Sequence, residues 1–241
     1  PIHEGGFVPW SGGQLVCGNS LIGARRQVYR SSEVSAGNKG DENNWLDAVP
    51  ERIPLHPGTA GQSRPPRSVY HFLLGDRAMS SYARGTEGKP IKEMAGDQLG
   101  LIDEWRKEFT APLEPEEHDA LVELSDTVDR LWHKHAELLQ RIRRRTTDAI
   151  PIYGHPVPSD APKPTTTAYK DEVWQKEMES EGVFASSPYR RLKLVMDYWC
   201  ALWFWPIQKS RDLPERSNWW FEVGALLEGN VVILKPSEHT P

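Results

Sequence analysis

The chain has 241 residues, of which 38% are hydrophobic and 26% charged, and its formal net charge at pH 7 is -5. This length suits one large domain or two small ones, and the charge excludes a protein that binds nucleic acid through an overall basic composition. The longest dense apolar stretch, Leu194–Trp205, is shorter than the roughly 20 residues of a membrane-spanning helix, so no membrane partner is predicted. The 10 tryptophans are unusual and favour a large core or an interface.

The two cysteines, Cys17 and Cys200, are too far apart in sequence to form a metal-binding or redox motif. They are typical of reduced thiols, which predicts a cytoplasmic protein. The N-terminus lacks the charged start and the apolar run of a secretory signal. Because the sequence starts without Met and stops in a polar segment, we interpret it as a piece of a longer protein.

Little regular structure is predicted before residue 90. The apolar run Gln14–Cys17 predicts a buried strand that opens into a turn at Gly18. Residues 31–68 are rich in Gly, Pro, Ser and Asn and predict an exposed, partly disordered excursion. Ser68–Leu74 contains β-branched and aromatic residues and predicts a second short strand.

Helices are predicted to predominate from there. Ile91–Phe109 predicts one or two helices, and Pro115–Arg145 predicts a long helix because its apolar residues recur at steps of three and four. The link between them is short, which favours antiparallel neighbours. We therefore expect a helical hairpin in which Trp105 and Phe109 contact the early turns of the long helix.

The C-terminal third begins with a proline-rich stretch, which predicts an extended connection. Ser187 is predicted to cap a helix that runs to Trp205 and is buried on all sides, because it is apolar nearly all round. A last helix is predicted from Pro214 to Gly229. The predicted units are a strand and turn, an irregular excursion, a helical hairpin, a connection, a Trp-rich helical pair and a return toward the core: 1–30, 31–90, 91–149, 150–186, 187–230 and 231–241.

Familiar catalytic signatures are absent from the sequence: there is no glycine-rich dinucleotide loop, no P-loop, no zinc-protease helix and no serine nucleophile elbow. His133 and His135 are two positions apart on one predicted helix, so they point to different faces and no metal site is predicted. The basic end of the long helix is a candidate for contacts to DNA phosphates, although basic residues there also complement the helix dipole. These candidates are Arg141, Arg143, Arg144 and Arg145.

Four segments resemble, in the same order, the large adenine-specific DNA methyltransferases of restriction-modification and phage-defence systems. The segments are QLVCGNSLIGARRQVY, SVYHFLLGDRAM, the long helical region over residues 104–154, and SPYRRLKLVMDYWCALWFWPI with its following LPERSNWW. Together they span about residues 14–228, and they are most similar to the DISARM-type enzymes, with the BREX-type enzymes also related. The resemblance implies that the chain is part of such an enzyme.

The resemblance also implies which parts lie elsewhere. In the family, a DPACGSG-type loop for S-adenosylmethionine precedes this region and a catalytic NPP[YFW] loop follows it. The nearest match here, Ser187-Pro188-Tyr189-Arg190, has one proline and sits at a predicted helix start, so no catalytic residue is assigned. The implied fold is mainly α with minor β (α+β), a helical insertion attached to an edge of a Rossmann-like methyltransferase domain.

The cofactor implied by the resemblance is S-adenosylmethionine. The turn after the first strand would lie beside its adenine, which gives four cofactor-binding candidates: Gly18, Asn19, Ser20 and Leu21. The alternative for Asn19 is a turn-former that bonds its own backbone. The implied partners are DNA, the remaining methyltransferase domains and other defence-system subunits. The alternative function is a non-enzymatic helical interaction module that docks a partner through its Trp-rich helix.

Overall fold

The computed structural model describes residues 23–34, 45–53, 64–82, 88–148, 159–160, 165–182 and 187–229. In chain order its helices and strands are β1 (Gln27–Tyr29), α1 (Ser31–Val34), β2 (Glu51–Arg52), β3 (Val69–Tyr70), α2 (Lys89–Phe109), α3 (Pro115–Thr146), α4 (Thr167–Gly182), α5 (Pro188–Ala201) and α6 (Arg216–Glu228). Two 3₁₀ turns complete it, His71–Leu73 and Ile207–Asp212. The expected class, mainly α with minor β, is confirmed. Within these residues no helix is long and apolar enough to cross a membrane.

The sheet of the described residues is small and antiparallel. Its strand order is β2-β1-β3, so the central strand β1 pairs with both neighbours. The sheet contacts α3 through Tyr70, whose backbone N–H donates to Ser125 Oγ at 3.3 Å. Ser125 Oγ in turn donates to Leu121 O at 2.8 Å. A buried hydroxyl on α3 therefore satisfies the outer edge of β3, which fixes the sheet on this helix.

The long helix α3 agrees with the sequence prediction at both ends. Pro115 occupies its first turn, and a capping box joins Glu114 to Glu117: the Glu117 carboxylate accepts the Glu114 N–H at 2.9 Å. The predicted apolar stripe is buried along the helix, as Leu121, Val128 and Leu138 show. The helices that cover this stripe are α4, α5 and α6.

The predicted hairpin between residues 98–109 and 115–145 is wrong, because α2 packs mainly against Ile207–Asp212. Trp105 Nε1 donates to Pro214 O at 2.8 Å, and Phe109 stacks on Trp105 and contacts the ring of Trp219. The short link after α2 brings the two helices together only at their ends. Side-chain partners from the C-terminal third then direct α2 away from α3.

Parts of the predicted excursion over residues 31–90 belong to the core instead. Val34, Trp45 and Ile53 are all buried. The predicted strand Ser68–Leu74 contains only two strand residues, after which the chain turns as a 3₁₀ helix through His71–Leu73. All three residues of this turn are buried, so its backbone N–H and C=O groups need hydrogen-bond partners inside the protein.

The C-terminal third also differs from its prediction. The proline-rich connection predicted over 150–186 contains helix α4 in its second half. Helix α5 ends at Ala201 rather than Trp205, and it leaves one face exposed, including Leu194, so it is not buried all round. Its predicted cap is confirmed, since Ser187 Oγ accepts the Arg190 N–H at 3.2 Å. The predicted strand at Gln14–Cys17 and the return over 231–241 lie outside the described residues.

Three tryptophans explain much of the unusual composition. Trp220 Nε1 donates to Leu73 O at 3.0 Å, Trp199 Nε1 to Leu74 O at 2.9 Å, and Trp45 Nε1 to Gly75 O at 2.9 Å. The acceptors are consecutive carbonyls of one buried segment, which we call the carbonyl strip (residues 73–75). Each indole satisfies a carbonyl that none of the described strands pairs with, and it also packs against the core.

Gly75 ends the carbonyl strip where backbone and side chains approach closely. A Cβ added there would lie 2.7 Å from Phe109 Cδ1, 3.0 Å from Thr110 Cγ2 and 3.1 Å from Phe109 O. We expect Gly75→Ala to lower the free energy of unfolding by about 1–3 kcal/mol through overpacking. Urea denaturation of the wild type and the variant measures this change in the free energy of unfolding. Gly100→Ala is the control: nothing lies within 4 Å of its Cβ, so it should raise stability by about 0.5–1 kcal/mol. Equal effects of both changes would contradict this account.

His71 gives the fold a specific pH dependence. Burial lowers the pKa of His71 to about 4, from an ordinary value of 6.5. Its Nε2 lies 2.9 Å from the Arg25 N and 3.1 Å from the Arg25 O. Since folding favours the neutral ring, its contribution is complete above pH 6.5 and is lost as the pH falls toward 4. The loss from this group amounts to about 3 kcal/mol.

The test compares urea denaturation at several pH values for wild type, His71→Gln and His133→Gln. A glutamine amide can face both backbone groups of Arg25 without titrating, so His71→Gln should flatten the loss of stability between pH 6.5 and 4. His133→Gln is the control because it removes an exposed histidine and leaves His71 in place, so the loss of stability that depends on His71 should remain. An unchanged slope in His71→Gln would show that this ring is not the titrating group.

Candidate functional site

The four predicted cofactor-binding residues, Gly18, Asn19, Ser20 and Leu21, lie outside the described residues. The described chain starts two positions later, at Gly23. Gly23 and Ala24 form part of the wall of a cavity of about 470 Å³. This cavity, which we call the aromatic pocket, is lined mainly by α3 and α5: Gly23, Ala24, Trp132, His135, Tyr189, Leu192, Lys193, Met196, Asp197, Cys200 and Phe204.

Three rings form a row along one side of the aromatic pocket. The centroids of Trp132 and His135 are 6.2 Å apart, and those of His135 and Tyr189 are 5.2 Å apart. Trp132 and His135 come from adjacent turns of α3, and Tyr189 comes from the first turn of α5. Because α3 and α5 pack together, their ring-bearing faces meet here. The resulting wall suits the flat face of another aromatic ring.

His135 is the most unusual polar group of this wall. It is 7% exposed, burial lowers the pKa of its ring, and its Nδ1 is buried without a hydrogen-bond partner among the described residues. Buried polar atoms of a native structure are normally paired. The ring is therefore neutral at pH 7, with hydrogen-bonding capacity that the described residues leave unused.

The rim of the aromatic pocket carries charges that neutralise each other. Lys193 donates to Asp197, one turn further along α5. Phe204 is 57% exposed at the opening. Cys200 is a free, half-buried thiol, and burial raises its pKa, so it is protonated at neutral pH. The pocket thus combines an apolar, uncharged lining with a polar rim.

This pocket was not predicted, although part of its signal is present in the sequence. Tyr189, Lys193, Met196 and Cys200 follow one another at steps of three and four, which places them on one face of a helix. Nothing in that spacing distinguishes a core face from a pocket wall. The neighbouring face of α5 carries Trp199 and turns into the core.

The predicted arginine cluster divides into two pairs. Arg141 and Arg145 face α4, where Glu177 accepts a hydrogen bond from Arg145 at 2.6 Å and forms an ion pair with Arg141 at 3.7 Å. Arg143 and Arg144 are exposed and form no ion pair with the described residues. This division follows from the helix period, since positions four apart share a face. Arg141 and Arg145 hold α4 on α3, which leaves Arg143 and Arg144 as the cations free to contact a phosphate.

A serine and a histidine also meet near the sheet, but their geometry excludes a nucleophile and base. Ser31 Oγ lies 3.4 Å from His118 Nε2. On the other side of the ring, Arg67 Nη2 lies 3.3 Å from His118 Nδ1 and donates to it, because a guanidinium can only donate. A neutral His118 then carries its proton on Nε2, so this nitrogen cannot accept a proton from Ser31. Burial is the main cause that lowers the pKa of His118, and the positive charge of Arg67 lowers this pKa further.

No group of three or more metal-ligating side chains occurs among the described residues. His133 and His135 point apart, as their spacing predicts: His133 is exposed, with Nδ1 3.0 Å from Asp129 O, whereas His135 is buried.

Comparisons with protein families, with curated proteins and with solved structures give no match to this chain.

The division of the arginines predicts a difference in DNA binding. If the basic end of α3 contacts phosphates, we expect Arg143→Gln combined with Arg144→Gln to lower the slope of log affinity against log salt by up to about 2. The matched pair, Arg141→Gln with Arg145→Gln, should change this slope less and should lower the melting temperature more, because it removes the ion pairs between α3 and α4. Fluorescence anisotropy with duplex DNA measures the slope. Equal losses from both pairs would contradict the division.

Proposed function

We propose that the chain is part of an S-adenosylmethionine-dependent DNA adenine methyltransferase of a restriction-modification or phage-defence system. In this proposal it is a helical insertion at an edge of a Rossmann-like domain whose cofactor loop and catalytic loop lie outside the sequence described here. DNA, the remaining methyltransferase domains and other defence subunits are its proposed partners, and the cytoplasm is its proposed location.

The observation that carries the proposal is the contact between segments that resemble the family. The carbonyl strip belongs to the segment similar to the family's YHFLL stretch. Trp199 and Trp220, which bond to it, belong to the segment similar to the family's Trp-rich helix. Helix α3, in the segment similar to the family's long insertion, supports both. The segments that resemble the family thus contact one another in the fold, and each contributes to the burial of the others. These contacts support the proposal that the separate similarities have one origin.

The proposed cofactor is compatible with the residues near the turn. Gly23 and Ala24, the second and third residues after Leu21, line the aromatic pocket, which has aromatic walls and in which Lys193 and Asp197 form an ion pair. Such a lining fits the adenine end of S-adenosylmethionine better than its charged amino-acid end. The cofactor supplies an electrophilic methyl group when bound. In this proposal Gly18, Asn19, Ser20 and Leu21 hold one edge of it, and Arg143 and Arg144 contact DNA.

The alternative function, a non-enzymatic interaction module, is favoured by a different observation. Phe221 is 78% exposed on α6, which leaves an aromatic side chain available to a partner protein. Trp199 is 5% exposed and bonded to Leu74, so a docking surface would not use this tryptophan. The two functions differ in whether the longer protein binds a methyl donor.

The decisive experiment measures transfer of labelled methyl to adenine in duplex DNA. We expect no transfer by the 241-residue chain alone, because adenine's exocyclic amine is a poor nucleophile and the chain has no NPP[YFW] loop to orient it. We expect transfer by the longer reading frame. Transfer by the isolated chain would contradict this assignment of its parts.

Variants of the longer protein test the proposed cofactor contact. Asn19→Ala should weaken S-adenosylmethionine binding by about tenfold, the loss of one good hydrogen bond. Asn38→Ala is a matched control in the same half of the sequence, and it should leave binding unchanged. A longer protein that neither binds the cofactor nor methylates DNA would favour the interaction module.

A further inference from the structure

We propose that a cleft between the C-terminal half of α2 and residues 210–217 binds an arginine side chain of a partner protein. This cleft, which we call the acidic cleft, has a volume of about 560 Å³. Its lining includes three carboxylates, Glu104 and Glu108 from α2 and Glu215 from the residue before α6, together with Trp105 and Ser210. None of its residues is among the proposed cofactor or DNA contacts, so the site is independent of the methyltransferase proposal.

The lining of the acidic cleft carries an excess of negative charge. Arg216 and Glu117 neutralise each other, since Arg216 Nη2 lies 2.9 Å from both oxygens of the Glu117 carboxylate. The three carboxylates named above are exposed and form no ion pair with the described residues. Arg211 is the remaining cation of the described lining, and it is exposed. A positively charged group that enters the cleft therefore gains counter-charge.

The position of two of these carboxylates is unfavourable without a cation. Glu104 and Glu108 lie one turn apart near the C-terminal end of α2, which ends at Phe109. Like charges at this spacing repel each other, and the helix dipole places its own partial negative charge at this end. A bound cation would relieve both effects.

Ser210 adds a hydrogen-bonding group that the described fold leaves unused. The residue is 6% exposed and lines the acidic cleft, and its hydroxyl has no hydrogen-bond partner among the described residues. Buried hydroxyls are normally paired. The Ser210 oxygen is therefore available to accept from an N–H group of a ligand, in addition to the carboxylates.

The neighbouring Arg216 shows how this region holds a guanidinium group. Its guanidinium carbon lies 5.2 Å from the ring centroid of Trp220, and it donates to Ala111 O at 2.6 Å and to Glu117. The acidic cleft offers the same kinds of partner again: an aromatic ring at Trp105, carboxylates and a neutral oxygen. A guanidinium can use its planar face and its five N–H donors at once, whereas an ammonium group offers three donors and no plane.

The apolar part of the lining indicates that the arginine belongs to a protein. Leu101 is 37% exposed at the cleft, and Leu213 is half-buried there. These side chains can cover the methylene groups of an arginine and the residues beside it. Arginine is also enriched in the centres of protein interfaces. A small guanidinium compound would leave this apolar surface exposed to water.

The test is an NMR titration of the ¹⁵N-labelled 241-residue chain with the peptide acetyl-Leu-Arg-Leu-amide. We expect the backbone amides of residues 104–108 and 210–216 to shift. A peptide with citrulline in place of arginine keeps the shape and loses the charge, so it should not bind. A lysine peptide should bind about threefold more weakly than the arginine peptide. Ethylguanidinium, which lacks the apolar neighbours, should also bind more weakly.

Variants of the chain locate the charge that matters. Glu108→Gln should weaken binding of the arginine peptide by about two- to fivefold, as expected for one partly exposed ion pair. Arg211→Gln should strengthen it by a similar factor, because it removes a like charge from the lining. Glu93→Gln is the matched control: it makes the same charge change at an exposed position of α2 outside the cleft, and it should leave binding unchanged.

Several results would overturn the proposal. Shifts confined to other residues, or no binding up to about 10 mM peptide, would show that the cleft does not take this side chain. Equal binding of the citrulline peptide, or equal weakening by Glu93→Gln and Glu108→Gln, would contradict the role of the cleft carboxylates. Equal binding of the lysine peptide would contradict the choice of arginine. Ethylguanidinium that binds as tightly as the peptide would refute a protein partner and assign the cleft to a small cation.

Discussion

The need to satisfy three consecutive buried carbonyls governs much of this structure. The 3₁₀ turn His71–Leu73 leads the chain out of the sheet, and none of the described strands pairs with residues 73–75. Three indole N–H groups replace that strand, from Trp45, Trp199 and Trp220. Because these tryptophans are far apart in sequence, the same bonds join an N-terminal segment, α5 and α6 around one point. A buried carbonyl without a partner would be costly, which makes the arrangement specific.

The segment that follows the carbonyl strip is held in the same manner. Arg106 Nε donates to Met79 O at 2.8 Å, and Ser80 Oγ donates to Leu202 O at 2.7 Å. Tyr82 adds a bond from its hydroxyl to Trp205 O at 2.6 Å. Side chains therefore replace regular secondary structure over residues 73–82. This explains how a stretch with little helix or strand contributes buried residues such as Leu73, Leu74 and Met79 to the core.

Helix α3 connects this core to the candidate sites. At its N-terminal half, the buried Arg64 donates to Asp126 and to Asp129, and Tyr70 donates to the same Asp129 at 2.8 Å. Further along the helix, Trp132 and His135 form a wall of the aromatic pocket. Helix α5 shows the same division, since Trp199 is bound to the carbonyl strip while Cys200 faces the pocket. Core contacts on one side of each helix thus position the pocket residues on the other.

The sequence by itself determined the helices whose signals are local. Pro115 with the Glu114–Glu117 capping box begins α3, Ser187 caps α5, and Gly229 ends α6 with φ of 82°, all within a few residues of their signals. Only the tertiary structure decided the partner of α2, the burial of Trp45 and the division of the arginines between α4 and solvent. The aromatic pocket was equally beyond the sequence. Caps and periodicity act over one or two turns, whereas these features depend on contacts between residues that lie 30 to 109 positions apart, from Trp45 with Gly75 to Trp105 with Pro214.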